Sequence, residues 1–91
     1  MVEADSVIVE FFGIPRQRAG RAELAVAAGT VAEILAAIER ACPGLVGLRA
    51  VDGRLARHYL LSIDGQSFVT RAEETVQPGE RLLLLSADAG G

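Results

Sequence analysis

Residues 81–86 read Arg-Leu-Leu-Leu-Leu-Ser, and these four consecutive leucines decide how the rest of the chain must be arranged. An unbroken apolar run of this length suits a strand covered on both faces, such as a central strand beneath a helix. Pro78-Gly79 leads into it as a type II turn, because proline presets the first central position and glycine accepts the positive φ of the second. Behind it come Ala87, Asp88, Ala89, Gly90 and Gly91, small residues that cannot anchor themselves. They read as a mobile tail.

The covering helix is the clearest element elsewhere in the chain. Thr30-Val31-Ala32-Glu33 forms a capping box, in which the threonine hydroxyl accepts from the backbone of Glu33 and the glutamate side chain returns to the backbone of Thr30. Val31, Ile34, Leu35, Ile38 and Cys42 then fall three and four apart, so they share one apolar stripe, while Glu33, Glu39 and Arg40 point outward. Pro43-Gly44 ends the helix. Cys42 lies on the stripe and reads as a small buried core residue, not as a reactive thiol.

Before the helix, Ser6 to Phe12 (SVIVEFF) is rich in β-branched and aromatic residues and reads as the first strand. Gly13, Pro15 and Gly20 interrupt any regular pattern, and Arg21 to Ala28 resumes as a second strand paired with the first. After the helix, Leu45 to Arg57 carries Gly47, Gly53 and scattered charge and reads as an irregular connection. His58 to Asp64 alternates as a strand. Asp64-Gly65 is a two-residue hairpin signal, with Gln66 to Val69 as the short return. His58, alone at a strand start, reads as a surface or edge residue; Glu73-Glu74 reads as a short turn or a solvated pair.

The predicted order is strand, strand, helix, strand, short strand, strand. That is an α+β chain of the β-grasp (ubiquitin-like) type, a mixed sheet of about five strands with one main helix on one face. Residues 1–86 form the predicted β-grasp domain and residues 87–91 the flexible tail. A single helix covers one face only, so the other should expose apolar residues as a candidate docking surface.

Composition narrows the function classes. A chain of 91 residues suits a single domain. With three Phe, one Tyr, no Trp and a net charge of −3, it lacks the stacking platform and positive field of a nucleic-acid binder. No apolar stretch approaches the roughly 20 residues needed to span a bilayer, and Met1 to Ser6 is acidic, which together predict a cytoplasmic protein. One cysteine excludes an internal disulfide and a cysteine-only metal site. No metal or bound cofactor is expected. All nine basic residues are arginine, so the chain offers no lysine for isopeptide-linked chains of itself.

Gly90-Gly91 then carries the chemistry. With only small residues after the last strand, the functional group presented is the α-carboxylate, a poor electrophile until activated, usually as an acyl-adenylate made with ATP. Glycine has no Cβ, so a slim tip can enter a narrow pocket. Ser86 to Gly91 spans roughly 20 Å when extended, enough to thread while the body stays outside. The chain supplies the reacting atom, and a partner supplies catalysis.

Three segments together resemble the ThiS/MoaD family of ubiquitin-like sulfur carriers, over nearly the whole chain. The first is Phe11-Phe12-Gly13 with Arg16 and Gly20, which looks like the opening of the molybdopterin synthase small subunit. The second is the helix start TVAEILAAI, Thr30 to Ile38. The third and most specific is Ile63-Asp64-Gly65, then Val76, Pro78-Gly79-Glu80, the leucine strand and Gly90-Gly91. The resemblance implies a non-enzymatic carrier whose Gly91 is adenylated by a ubiquitin-activating-type enzyme using ATP and receives sulfur from a persulfide donor as a thiocarboxylate. Gly90, Ala89 and Asp88 would thread beside it. It further implies delivery to a sulfur-accepting synthase, first of all the large subunit of molybdopterin synthase in molybdenum-cofactor biosynthesis. Cysteine, thiazole or another thiolated metabolite is the alternative destination, and protein modification through Gly91 is a further one. One departure bears on that choice: molybdopterin carriers usually place prolines before the glycines, and here Ser86-Ala87-Asp88-Ala89 stands instead.

Overall fold

The computed structural model describes residues 5–69 and 71–87. The leucine run forms strand β7 (Arg81–Ser86), third of five in the main sheet. One edge of β7 pairs in parallel with β1 (Ser6–Phe11), and β1 pairs antiparallel with β2 (Glu23–Ala27). Its other edge pairs antiparallel with β4 (Tyr59–Ile63), which carries the short return strand β5 (Ser67–Phe68). This is the mixed five-stranded sheet that the sequence predicts. The Asp64-Gly65 hairpin is equally as expected, both residues having positive φ, 53° and 69°.

Helix α2 (Val31–Ala41) lies on one face, and both arms of its capping box are made: the Glu33 N–H donates to Thr30 Oγ1 at 3.2 Å and the Thr30 N–H to Glu33 Oε1 at 2.9 Å. Val31, Ile34, Leu35, Ile38 and Cys42 are all buried, so the apolar stripe is the core face. Opposite them stand Val7, Val9 and Phe11 of β1, Leu82 and Leu84 of β7, and Leu61 of β4, each at most 1% exposed. Removing apolar area of this kind from water is the main stabilising contribution.

Four expectations change. β7 is sealed on the helix side only; Leu83 and Leu85 on the other side are half-buried, because no second layer covers that face. Their partial cover comes from neighbours in register, Leu60 and Glu10, and from the Arg81 side chain, which reaches Glu10 at 3.0 Å and Glu23 at 3.5 Å. Second, the segment with Gly13, Pro15 and Gly20 is a short helix, α1 (Ile14–Ala19). Proline sits in its first turn, where its missing N–H costs nothing, and Gly20 closes it in the left-handed region at φ 74°. Third, a second, two-stranded sheet joins β3 (Gly29–Thr30) to β6 (Thr75–Val76), and the Val31 and Ala32 N–H groups at the start of α2 donate to Glu74 and Ala72 carbonyls. Fourth, the irregular connection after α2 is part of the core: Leu45, Leu48 and Ala56 are buried, and Ala56 N–H donates to the Leu48 carbonyl at 2.9 Å.

Candidate functional site

The chain leaves the sheet at the C-terminal end of β7, and that departure point is built from both edges. On one side the Phe12 N–H donates to the Leu84 carbonyl at 3.0 Å. On the other, Ser86 stands opposite Tyr59, and the Ala87 N–H donates to the His58 carbonyl at 2.8 Å. The backbone is therefore held by hydrogen bonds through Ala87. His58 contributes through its carbonyl, while its exposed ring leans on Tyr59 with centroids 4.5 Å apart. Gly91, with the threading residues Gly90, Ala89 and Asp88, lies outside the described residues.

The floor of this departure point is Tyr59, 3% exposed, whose hydroxyl accepts a hydrogen bond from Arg18 Nη1 at 3.1 Å. That bond ties α1 to β4 across the end of the sheet, and Gly44, just after α2, packs against the Arg18 backbone carbonyl so closely that a Cβ there would overlap it. The loop after β1, the end of α2 and the start of β4 thus converge where β7 ends.

Cys42 caps α2 at 1% exposure, and burial pushes its thiol above the ordinary value, with Arg21 acting weakly in the opposite direction. A protonated, enclosed thiol is a poor nucleophile. Among the described residues, no group of three or more His, Cys, Asp and Glu side chains could hold a metal ion. A hollow of about 250 Å³ opens beside β4, walled by Val31, Tyr59 and Val69 and rimmed by Arg54, Arg57 and Arg71. Two of its arginines are already engaged, Arg71 with Glu73 at 2.7 Å and Arg54 with Asp52 at 4.0 Å. No helix among the described residues is long and apolar enough to cross a membrane.

These features define a β-grasp protein of the ubiquitin-like class, with a central strand that ends at an anchored exit. Solved structures of similar shape give the class its narrower form. SAMP1 from Haloferax volcanii superposes with a TM-score of 0.79 at 26% identity, over 94% of this chain and 99% of that one. A chain of the BexX/CysO complex from Amycolatopsis orientalis gives 0.77 at 26% identity, over 93% and 99%. A Pyrococcus furiosus chain named as a putative molybdopterin converting factor, subunit 1, gives 0.71 at 17% identity over 89% and 95%, which speaks for the shared fold. No protein-family model matches the sequence, and no curated protein matches it. The structural neighbours are small ThiS/MoaD-type ubiquitin-like carriers and modifiers, not enzymes, and the chain has the fold that its sequence resemblance to them implies.

Proposed function

We propose that the chain is a sulfur carrier working through Gly91. The observation that carries this reading is the junction at Ala87: a central strand hydrogen-bonded on one edge as far as Leu84 and on the other as far as Ala87, followed by Asp-Ala-Gly-Gly. Binding force on the body can then be transmitted to a defined exit, and the glycines let the last residues enter a narrow site. Nothing in the carrier needs to be catalytic. A ubiquitin-activating-type partner joins the Gly91 carboxylate to the α-phosphate of ATP, releasing pyrophosphate. A persulfide sulfur then attacks the acyl carbon and AMP leaves; a thiol reductant cleaves the resulting S–S bond to free the thiocarboxylate.

The first destination in this reading is the large subunit of molybdopterin synthase, in the cytoplasm. The Ser86-Ala87-Asp88-Ala89 approach, which has no proline, keeps cysteine, thiazole or another thiolated metabolite as the alternative acceptor. CysO is found in a complex with BexX, an instance of a similar chain assembled with a partner protein. Modification of other proteins through Gly91 is the second reading, favoured by the likeness to SAMP1, a small archaeal modifier protein.

Intact-mass measurement separates these. With the host's activating enzyme, a persulfide donor and ATP, part of the chain gains the mass of sulfur replacing oxygen; its consistent absence sinks the carrier reading. High-mass conjugates that vanish when Gly91 is deleted favour the modifier. One residue added after Gly91 is expected to abolish both with folding intact.

A further inference from the structure

The charges of this acidic chain are not evenly spread. Arg49, Arg54, Arg71 and Arg81 each lie within 4 Å of a carboxylate. Among the described residues, Arg16, Arg18, Arg21, Arg40 and Arg57 have no such partner, and all five are exposed. Topology gathers them at one end of the molecule. Arg16 and Arg18 are on α1, Arg18 reaches Tyr59, Arg57 precedes His58 and Tyr59, and Arg21 lies close enough to Cys42 to influence its thiol. Arg40 is accounted for by the negative end of α2, in whose last turn it sits. Arg57 has no comparable local reason, and α1, a helix of six residues, offers Arg16 only a weak one. The opposite end, where β1 and β7 begin and α2 starts, carries Asp5, Glu33, Asp64 and Glu80.

Apolar surface lies inside the same region. Phe12 and Ile14 are 45% and 46% exposed, on either side of Gly13, Phe12 just after β1 and Ile14 at the start of α1. Gly13 takes φ 63°, and a Cβ placed on it would meet nothing within 4 Å, so this turn protrudes with room around it. Exposed aromatic and aliphatic side chains with arginines at the margin are the composition of a protein interface: an apolar anchor and a charged rim.

We propose that Phe12 and Ile14, with Arg16, Arg18 and Arg57 around them, form a docking collar at the exit of β7 for the activating enzyme, whose corresponding surface is an apolar pocket edged by carboxylates. The proposal rests on the carrier reading for the identity of the partner. Charge complementarity selects an acidic protein surface. A nucleic acid, repelled by the net charge of −3 and the acidic far end, is disfavoured. The collar orients the carrier so that the exit at Ala87 faces the partner, and the acidic far end is repelled from the same carboxylates. Encounter is thus steered before the short-range fit forms.

The test uses the full chain and the purified ubiquitin-activating-type enzyme of the same host, with Kd measured at about 50 and about 300 mM salt. The double variant Arg16→Glu with Arg57→Glu alters side chains that make no hydrogen bond among the described residues, so folding should persist, as thermal melting will verify. It is expected to bind about tenfold or more weakly and to lose most of the salt dependence. Phe12→Ser is expected to weaken binding with the salt dependence retained, and Phe68→Ser, an exposed position on the edge strand β5 and outside the collar, to leave Kd unchanged. If the wild-type chain is adenylated but the double variant binds as tightly, the collar is overturned and the carrier reading stands. If binding depends on the arginines without adenylation, the collar stands and the carrier reading fails. Absence of wild-type binding overturns the collar, as does tighter, arginine-dependent binding to a 12-mer DNA duplex used as a competitor.

Discussion

Replacing Gly44 by alanine tests how the end of α2 and α1 are locked together. Glycine to alanine at a backbone conformation alanine can adopt ordinarily stabilises by about 0.4–1 kcal/mol, through the smaller entropy of the unfolded chain. Gly44 is not among the glycines with positive φ, so that gain applies. Against it, the new Cβ overlaps the Arg18 carbonyl oxygen, with the carbonyl carbon 3.1 Å away. Both are backbone atoms, which cannot rotate aside as a side-chain tip does. Forced backbone shifts of this sort cost about 1–3 kcal/mol, so Gly44→Ala is expected to destabilise by about 1–2 kcal/mol net. At about 4–8 °C per kcal/mol for a domain of this size, Tm falls by roughly 5–15 °C. Urea unfolding followed by circular dichroism should show a lower midpoint with an unchanged slope.

A companion variant separates the causes. At Gly47, φ is 75° and nothing lies within 4 Å, so Gly47→Ala carries only the left-handed backbone cost, about 1 kcal/mol. The two variants should therefore lose comparable stability, but only Gly44→Ala should move the amide signals of α1 and Tyr59, because only it pushes on Arg18. A Gly44→Ala protein at least as stable as the wild type, with undisturbed α1 signals, refutes the reasoning.

Other outcomes are as specific. Thr30→Ala removes one arm of the capping box and is expected to cost about 1 kcal/mol in chemical denaturation, whereas Thr30→Ser should cost little. Ile34→Ala empties a fully buried position and should cost about 2–5 kcal/mol in the same assay. Burial raises the Cys42 thiol, so its contribution to stability is full below the unfolded thiol value of about 8.5 and is lost as pH rises through it toward the folded value. Cys42→Ala should flatten that alkaline slope, and iodoacetamide should label Cys42 in the native protein far more slowly than in urea.

Most of the sheet and the main helix were legible because periodicity and capping chemistry are local signals. The stripe from Val31 to Cys42 and the Thr30–Glu33 box needed no tertiary information, and the Asp64-Gly65 turn fixed a hairpin by its φ requirements alone. The leucine run identified the central strand but overstated its cover, since a run of leucines does not tell full burial from half. α1 was hidden by reading Gly13, Pro15 and Gly20 as interruptions. Proline just inside a start and glycine just past an end are also the marks of a short helix. β3 and β6 are two residues each, too short for any period, and exist because α2 needs acceptors for its first N–H groups. The Leu45 to Arg57 connection was legible in part: Leu45 and Leu48 at a spacing of three were the missed signal of a buried turn.

The site divides in the same way. Gly90-Gly91 could be singled out from composition and position, but the residues that hold the exit, Tyr59, Arg18 and the His58 carbonyl, come from separate segments. Arg18 and Tyr59 are 41 positions apart, and no sequence spacing announces their hydrogen bond. The uneven charge was equally hidden, because which arginines have carboxylates beside them is decided only by the fold.

The strand order also sets when this protein can fold as it is made. β1 and β2 emerge first from the ribosome and β4 later, yet they share no hydrogen-bonded edge until β7 enters between β1 and β4. A nascent chain that stops before Arg81 has its helix and its hairpins but an open seam down the middle of its sheet, with Val9, Phe11 and Leu61 unshielded. Closing that seam demands contacts between positions some 71 residues apart, as in the Glu10–Arg81 pair, the slow, high-contact-order kind. Synthesis thereby imposes its own proofreading: an incomplete copy exposes a sticky core, and a well-packed body is found only on chains that have been translated through the strand leading to the glycines.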